Sequence, residues 1–142
     1  MTDEAPMIVV AVYLRGNVLD PECITQALGI CPSHSQKKGD VHITATNNEV
    51  IAKIGMWGVI SQSKSTRADA HIDEILKRFD GRITSTKDIP EVEEAYLDIF
   101  LAYASKQGST EHDAELSLTN IQLGQVNRLG LDLRITISVG PD

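Results

Sequence analysis

Six residues carry the side chains most often used to hold a metal or to act as nucleophile and base: Cys23, Cys31, His34, His42, His71 and His112. A zinc site needs its ligands at short, fixed separations, because a tetrahedral ion must be reached from one turn or one helix face. No C-x2-C, H-x3-H or HExxH spacing occurs in the chain. His71 and Asp73 stand two apart on an expected helix, where side chains do not face each other. A metal site is therefore not expected. The two cysteines are too few for a disulfide framework and read as small apolar filler in a reducing compartment. Nucleophile chemistry fares no better. There is no G-x-S-x-G elbow, and Ser33-His34-Ser35 lacks a carboxylate placed to orient the imidazole. With neither a G-x-x-x-x-G-K-[ST] loop nor a G-x-G-x-x-G turn, nucleotide phosphates have no cradle, and no cofactor is expected.

Carboxylates offer more. Between Asp88 and Glu115 lie eight acids (Asp88, Glu91, Glu93, Glu94, Asp98, Glu111, Asp113 and Glu115) and one base, Lys106. That stretch carries the whole formal net charge of −7, and the other 12 acids and 12 bases cancel. Neighbouring glutamates could in principle supply a general acid and base. The simpler expectation is a solvated acidic face or a surface that steers a cationic partner. Nucleic acid demands a basic stripe, and nothing beyond Lys37-Lys38 provides one. A second candidate site is a pocket walled by the lone tryptophan, Trp57, and reached by Arg15, Lys38 and Asp40. The bland reading makes Trp57 a core residue and Lys38-Gly39-Asp40 a solvated turn.

Residues 7–14, almost wholly apolar and rich in β-branched side chains, predict a strand buried on both faces and ended by Arg15-Gly16-Asn17. Asp20-Pro21-Glu22 starts a short helix, with an Asp cap, Pro in the first turn and Gly29 as the left-handed stop. Val41, Ile43 and Ala45 alternate with polar residues and predict a half-exposed strand, Asn47-Asn48 a hairpin turn, and Glu49 to Gln62 the returning strand. Gly55 and Gly58 in that strand point to a bulge or a close backbone approach. Ile72, Ile75, Leu76 and Phe79 recur at helical spacing within Ser63–Arg82. Thr66 is the expected cap, Asp69 the capping-box partner, Asp73 with Lys77 a supporting pair, and Gly81 the stop. A loop over Thr84–Pro90 precedes a strand at Ala95–Tyr103. A short strand is expected at Glu115–Leu118, then a helix capped by Thr119 or Asn120 and closed by Gly130. Leu131 to Val139 form an amphipathic last strand.

This order gives an α+β fold: two or three helices packed mainly on one face of a largely antiparallel sheet. The 142 residues suffice for one domain, 1–142, with its core at about 7–139. A composition of 42% hydrophobic and 23% charged residues excludes disorder, and no apolar run is long enough to span a bilayer. The acidic start MTDEAPMIVV does not resemble a signal peptide, so a cytoplasmic location and no membrane partner are expected.

The signposts taken together are Arg15-Gly16, Leu19-Asp20-Pro21-Glu22-x-Ile24-Thr25-x-x-Leu28-Gly29-Ile30-x-Pro32, Lys38-Gly39-Asp40, Gly55-Met56-Trp57 and Leu129-Gly130-Leu131-x-Leu133. In these the chain resembles the bacterial domain-of-unknown-function family 4279 over about Val9–Val139. The resemblance implies a compact α/β domain without assigned enzymology, some relatives of which sit in toxin–immunity settings. The segment between the long helix and the Tyr96 strand is shorter and more acidic than the family pattern. Two function classes follow. The first is an acidic protein-binding domain, most sharply an immunity protein that occludes the basic surface of a toxin such as a nuclease. The second is a small-molecule-binding or enzymatic domain with its pocket near Trp57.

Overall fold

The computed structural model describes residues 7–104 and 116–140. Seven strands and three helices follow in the order β1 (Met7–Gly16), α1 (Pro21–Leu28), β2 (His34–Gln36), β3 (Val41–Ile43), β4 (Glu49–Ile51), β5 (Gly55–Ile60), α2 (Ala68–Phe79), β6 (Glu94–Ala104), α3 (Asn120–Arg128) and β7 (Asp132–Gly140). Five strands form the main sheet in the order β2-β5-β1-β6-β7, and β3 with β4 forms a separate hairpin. Every pairing is antiparallel except β6 with β7, whose connection carries the crossover helix α3. The α+β expectation therefore holds.

β1 lies at the centre, which is why its sequence is apolar at consecutive positions: Val10, Ala11 and Val12 have no solvent exposure on either face. Val10, Val12 and Leu14 share a face with Trp57 and Val59 of β5 and with Ala95, Leu97 and Ile99 of β6. Against that face pack Ile24 and Leu28 of α1, Ile72, Ile75, Leu76 and Phe79 of α2, and Val126 of α3. The helices form one layer, and no helix among the described residues is long and apolar enough to cross a membrane. Asp20 caps α1 by accepting from the Glu22 amide, Pro21 occupies the first turn, and Gly29 at φ 68° ends it. Thr119 and Gln122 form a reciprocal capping box on α3.

Several expectations need correction. Glu49–Gln62 is two strands, because β4 pairs back on β3 while β5 crosses into the main sheet. The β3 strand stops at Ile43 and is exposed throughout, not half-buried, since nothing among the described residues packs on the hairpin. Residues 34–36, polar enough to read as loop, form an edge strand on β5. Thr66 does not cap α2: the cap position is Arg67, whose guanidinium holds the Asp69 carboxylate at 2.7 Å. Residues 61–67 instead stay extended by a repeating device. Ser61, Ser63 and Ser65 each accept, through the hydroxyl, the amide two residues on. The supporting pair on α2 is Glu74 with Arg78, while Asp73 accepts from Gln122 of α3. A single 3-10 turn, Thr86–Asp88, interrupts the Thr84–Pro90 loop. Leu116–Leu118 is not a strand, and Glu115 lies outside the described residues. Cys23 and Cys31 are both exposed rather than filler. Cys23 sits outward in the first turn of α1, where the Asp20 carboxylate raises its thiol pKa.

Candidate functional site

The sheet's second face carries the chemistry. Side chains alternate along each strand, so the residues between the core positions (Tyr13 and Arg15 on β1, Met56 and Gly58 on β5, Glu94, Tyr96, Asp98 and Phe100 on β6, Arg134 on β7) all point away from the helices. The register sets them in rows. Met56, Arg15 and Glu94 are neighbours across three strands, Gly58, Tyr13 and Tyr96 make the next row, and Ala11, Asp98 and Arg134 the one after.

Gly58 explains how the middle row fits. A Cβ there would stand 2.5 Å from Tyr13 Cδ1, so the missing side chain leaves room for the tyrosine ring to lie over the backbone of β5. The ring of Tyr13 meets that of Tyr96 at 5.7 Å between centroids, a tilted contact. Arg134 stacks its guanidinium 3.8 Å above the Tyr96 centroid and reaches Glu94 at 2.7 Å. Arg15 approaches the same Glu94 carboxylate at 3.8 Å, while its Nε is buried without a hydrogen-bond acceptor among the described residues. Burial, the Asp98 charge and Tyr96 push the Tyr13 phenol above its ordinary pKa. Burial also raises Asp98, with the Arg134 charge opposing it. Perturbed groups gathered on the face that no helix among the described residues packs against mark it as the candidate site.

The predicted acidic residues converge on this face and on the sheet end beside it. Gly16 at the end of β1 makes the convergence possible, since a Cβ there would lie 1.9 Å from the Glu91 carbonyl oxygen. Glu91 itself adopts φ 68°, the left-handed region that a non-glycine residue seldom enters. The Glu93 carboxylate accepts the Asn17 amide at 2.8 Å, and the Glu93 amide donates to Arg15 O. Asp88 ends the 3-10 turn, next to Lys87. A cleft of about 210 Å³ at this end is lined by Lys87, Glu93, Glu94 and Asp132 among others. Glu91, Glu93 and Glu94 are thus brought together at the sheet end, interleaved with Arg15, Lys87 and Arg134, while Asp98 stands two rows further along the face and Asp88 stays on its 3-10 turn. Glu111, Asp113 and Glu115 lie outside the described residues.

The other predicted set does not assemble. Arg15 faces away from the helices. Trp57, on the next strand, faces the core with no exposure, where it donates from Nε1 to Thr25 Oγ1 at 3.0 Å and meets Phe79 edge-on. Lys38 and Asp40 lie on the turn before β3, where Asp40 accepts the Lys37 amide.

One polar cluster had no sequence signal beyond its serines. Ser61 Oγ lies 2.8 Å from His71 Nδ1 and 2.9 Å from Glu74 Oε1. A serine, a histidine and a carboxylate are the ingredients of a nucleophilic triad, but the connections are not those of one. His71 Nε2 donates to Ser65 O, and Glu74 touches the serine, not the imidazole. Burial alone would raise the Glu74 pKa; the Gln62 amide, the Ser61 hydroxyl and Arg78 together outweigh it and hold the carboxyl below its ordinary value. The cluster fastens the end of β5 to α2.

A family described as a domain of unknown function, DUF4279, matches residues 7–140. The chain belongs to this family. No curated protein and no solved structure matches it. The DUF4279 match spans every strand and helix described above, so the open sheet face and the acidic end lie within the family domain.

Proposed function

We propose that this DUF4279 protein is a protein-binding domain that docks through the open face of its sheet and the acidic end beside it. The observation that carries the reading is the half-buried Tyr13, backed by the buried Tyr96, ringed by Glu94, Asp98, Arg15 and Arg134 and placed on central strands. Tyrosine and arginine are the side chains that most often dominate protein interfaces, because they combine apolar area with directional polar groups at small entropic cost. At the sheet end four carboxylates (Glu91, Glu93, Glu94 and Asp132) outnumber three cations (Arg15, Lys87 and Arg134), with Asp98 further along the same face, and that surplus favours a partner with a basic surface. In its sharpest form the reading is an immunity protein that covers the basic active-site surface of a toxin.

The test compares capture of cross-linked partners by the wild type and by two folded variants, Tyr13→Ala and the triple Glu91→Gln/Glu93→Gln/Glu94→Gln. The expected result is one basic protein held by the wild type, weakened by salt and lost from both variants. A partner list unaffected by either change, or no partner at all, overturns the reading.

A further inference from the structure

The two edges of the main sheet are built differently. β2 is three residues long and polar, the form that natural sheets use to blunt an edge. β7 is nine residues long, and from Ile135 to Val139 it has no charge, proline or bulge to discourage pairing. Leu133, Ile135, Ile137 and Val139 alternate on its helix-side face, level with Leu97, Ile99 and Leu101 of β6. The β6 residues are buried; the β7 residues are 39%, 44%, 59% and 55% exposed. Leu123 of α3 adds to the strip. Gln122 bonds α2, and Gln125 and Arg128 line a cavity against α2, which turns Leu123 to the flank above the β7 edge, where it is 44% exposed.

We infer that this edge is the seam of a homodimer in which β7 pairs antiparallel with β7 of a second copy across a twofold axis. The strand is self-complementary in the way such an axis requires. With the axis at Thr136, Leu133 faces Val139 of the other copy and Ile135 faces Ile137, so apolar residues meet only apolar residues. The axis stands perpendicular to the sheet, so both helix layers fall on the same side and the two Leu123 side chains close over the joined strips. A stable interface takes roughly 800 Å² from each partner; the four partly exposed branched side chains, Leu123 and a backbone edge unpaired among the described residues supply its apolar centre, and the flanking polar residues the rest. The same strand carries Asp132 and Arg134 of the open face, but those side chains project from the opposite side of the sheet to the apolar strip, so pairing at the edge leaves that face of each copy uncovered.

Sedimentation velocity on the full chain over a rising concentration series should show a species of twice 15.5 kDa. Ile137→Glu sets like charges near the axis in a desolvated strip and should return the monomer with unchanged far-ultraviolet circular dichroism. Because Ile137 is more than half exposed, that variant should still fold. In the wild type, amide exchange along β7 should slow with concentration while that of β2 does not. A monomer at every concentration, a dimer that survives Ile137→Glu, or β7 exchange independent of concentration overturns the inference. A chain that stays monomeric alone but loses β7 exchange only with a foreign protein bound would assign the edge to that partner instead.

Discussion

One sheet has two faces with opposite chemistry, although the same strands make both. On the helix side every central position is aliphatic or tryptophan, and water is excluded by three helices. On the other side tyrosines alternate with carboxylates and guanidinium groups that touch each other; Ala11 and Tyr96 are buried beneath them, while Tyr13, Arg15, Glu94, Asp98 and Arg134 reach water. The helix face is where burial holds the fold together; the open face is where side chains are spaced to meet something else. Its contacts are weak individually, since half-exposed ion pairs are screened. A mutation on the first face should therefore unfold the protein, and one on the second should leave the fold and alter binding.

The largest effect is expected at Trp57. Its ring is the bulkiest fully buried side chain and it spans from Thr25 on α1 to Phe79 on α2. Trp57→Ala should cost about 3–5 kcal/mol through lost transfer energy and the cavity left behind. The check is a urea denaturation midpoint with the slope unchanged. A loss below about 1 kcal/mol would mean that α1 and α2 close over the gap, contrary to a rigid helix layer.

Arg134→Ala should cost far less, on the order of 1 kcal/mol, because it removes one cation–π contact and one half-exposed pair with Glu94. Its sharper consequence lies with Asp98. Without the guanidinium, burial acts on that carboxyl unopposed, and its pKa should climb further, as read from its side-chain carbon shift in a pH titration. An unmoved Asp98 titration in this variant would show that the two residues do not sense each other and that the open face is not a coupled cluster.

Which parts of this contrast were legible in the sequence depends on whether the signal was local. Asp20-Pro21-Glu22, Gly29 and the Thr119-Asn120 pair marked helix ends because a cap is decided within about four residues. Thr66 with Asp69, an equally local pattern, did not cap α2, because the serine ladder keeps 61–67 extended up to Arg67. The amphipathic alternation of Leu133 to Val139 predicted a strand, and one is there. Alternation could not say that the apolar row would stand at an uncovered edge, since that depends on where β7 docks. The acidic surplus was likewise only half legible. Counted along the chain, Glu94 and Asp98 belong to a stretch of one sign. In space Arg15 arrives from β1 and Arg134 from β7, both far away in sequence, and the surplus is partly neutralised. The Ser61–His71–Glu74 staple was invisible because its members come from the end of a strand and two turns of a helix. Gly58 could have been found: a glycine in a strand opposite a tyrosine invites the ring to cover it, but the register that pairs Gly58 with Tyr13 is not written locally.

The smallest expected effect is also the most discriminating. Burial lifts the Asp98 pKa in the folded protein, with Arg134 opposing the rise. The unfolded chain titrates near 3.9, roughly the model-peptide value. Between that pH and the folded value the native state holds more protons than the unfolded one, so stability must fall as pH rises through this window. Asp98→Asn removes the slope and should stabilise the protein at neutral pH by well under about 1 kcal/mol, because solvent screens a group this accessible. Urea midpoints for the wild type and the variant should nearly coincide in acid and separate in the variant's favour towards neutrality. Two curves that run parallel through this range would mean that water reaches Asp98 freely. The open face would then be an ordinary wet surface, without the partly dehydrated tyrosine–carboxylate cluster that a docking site needs.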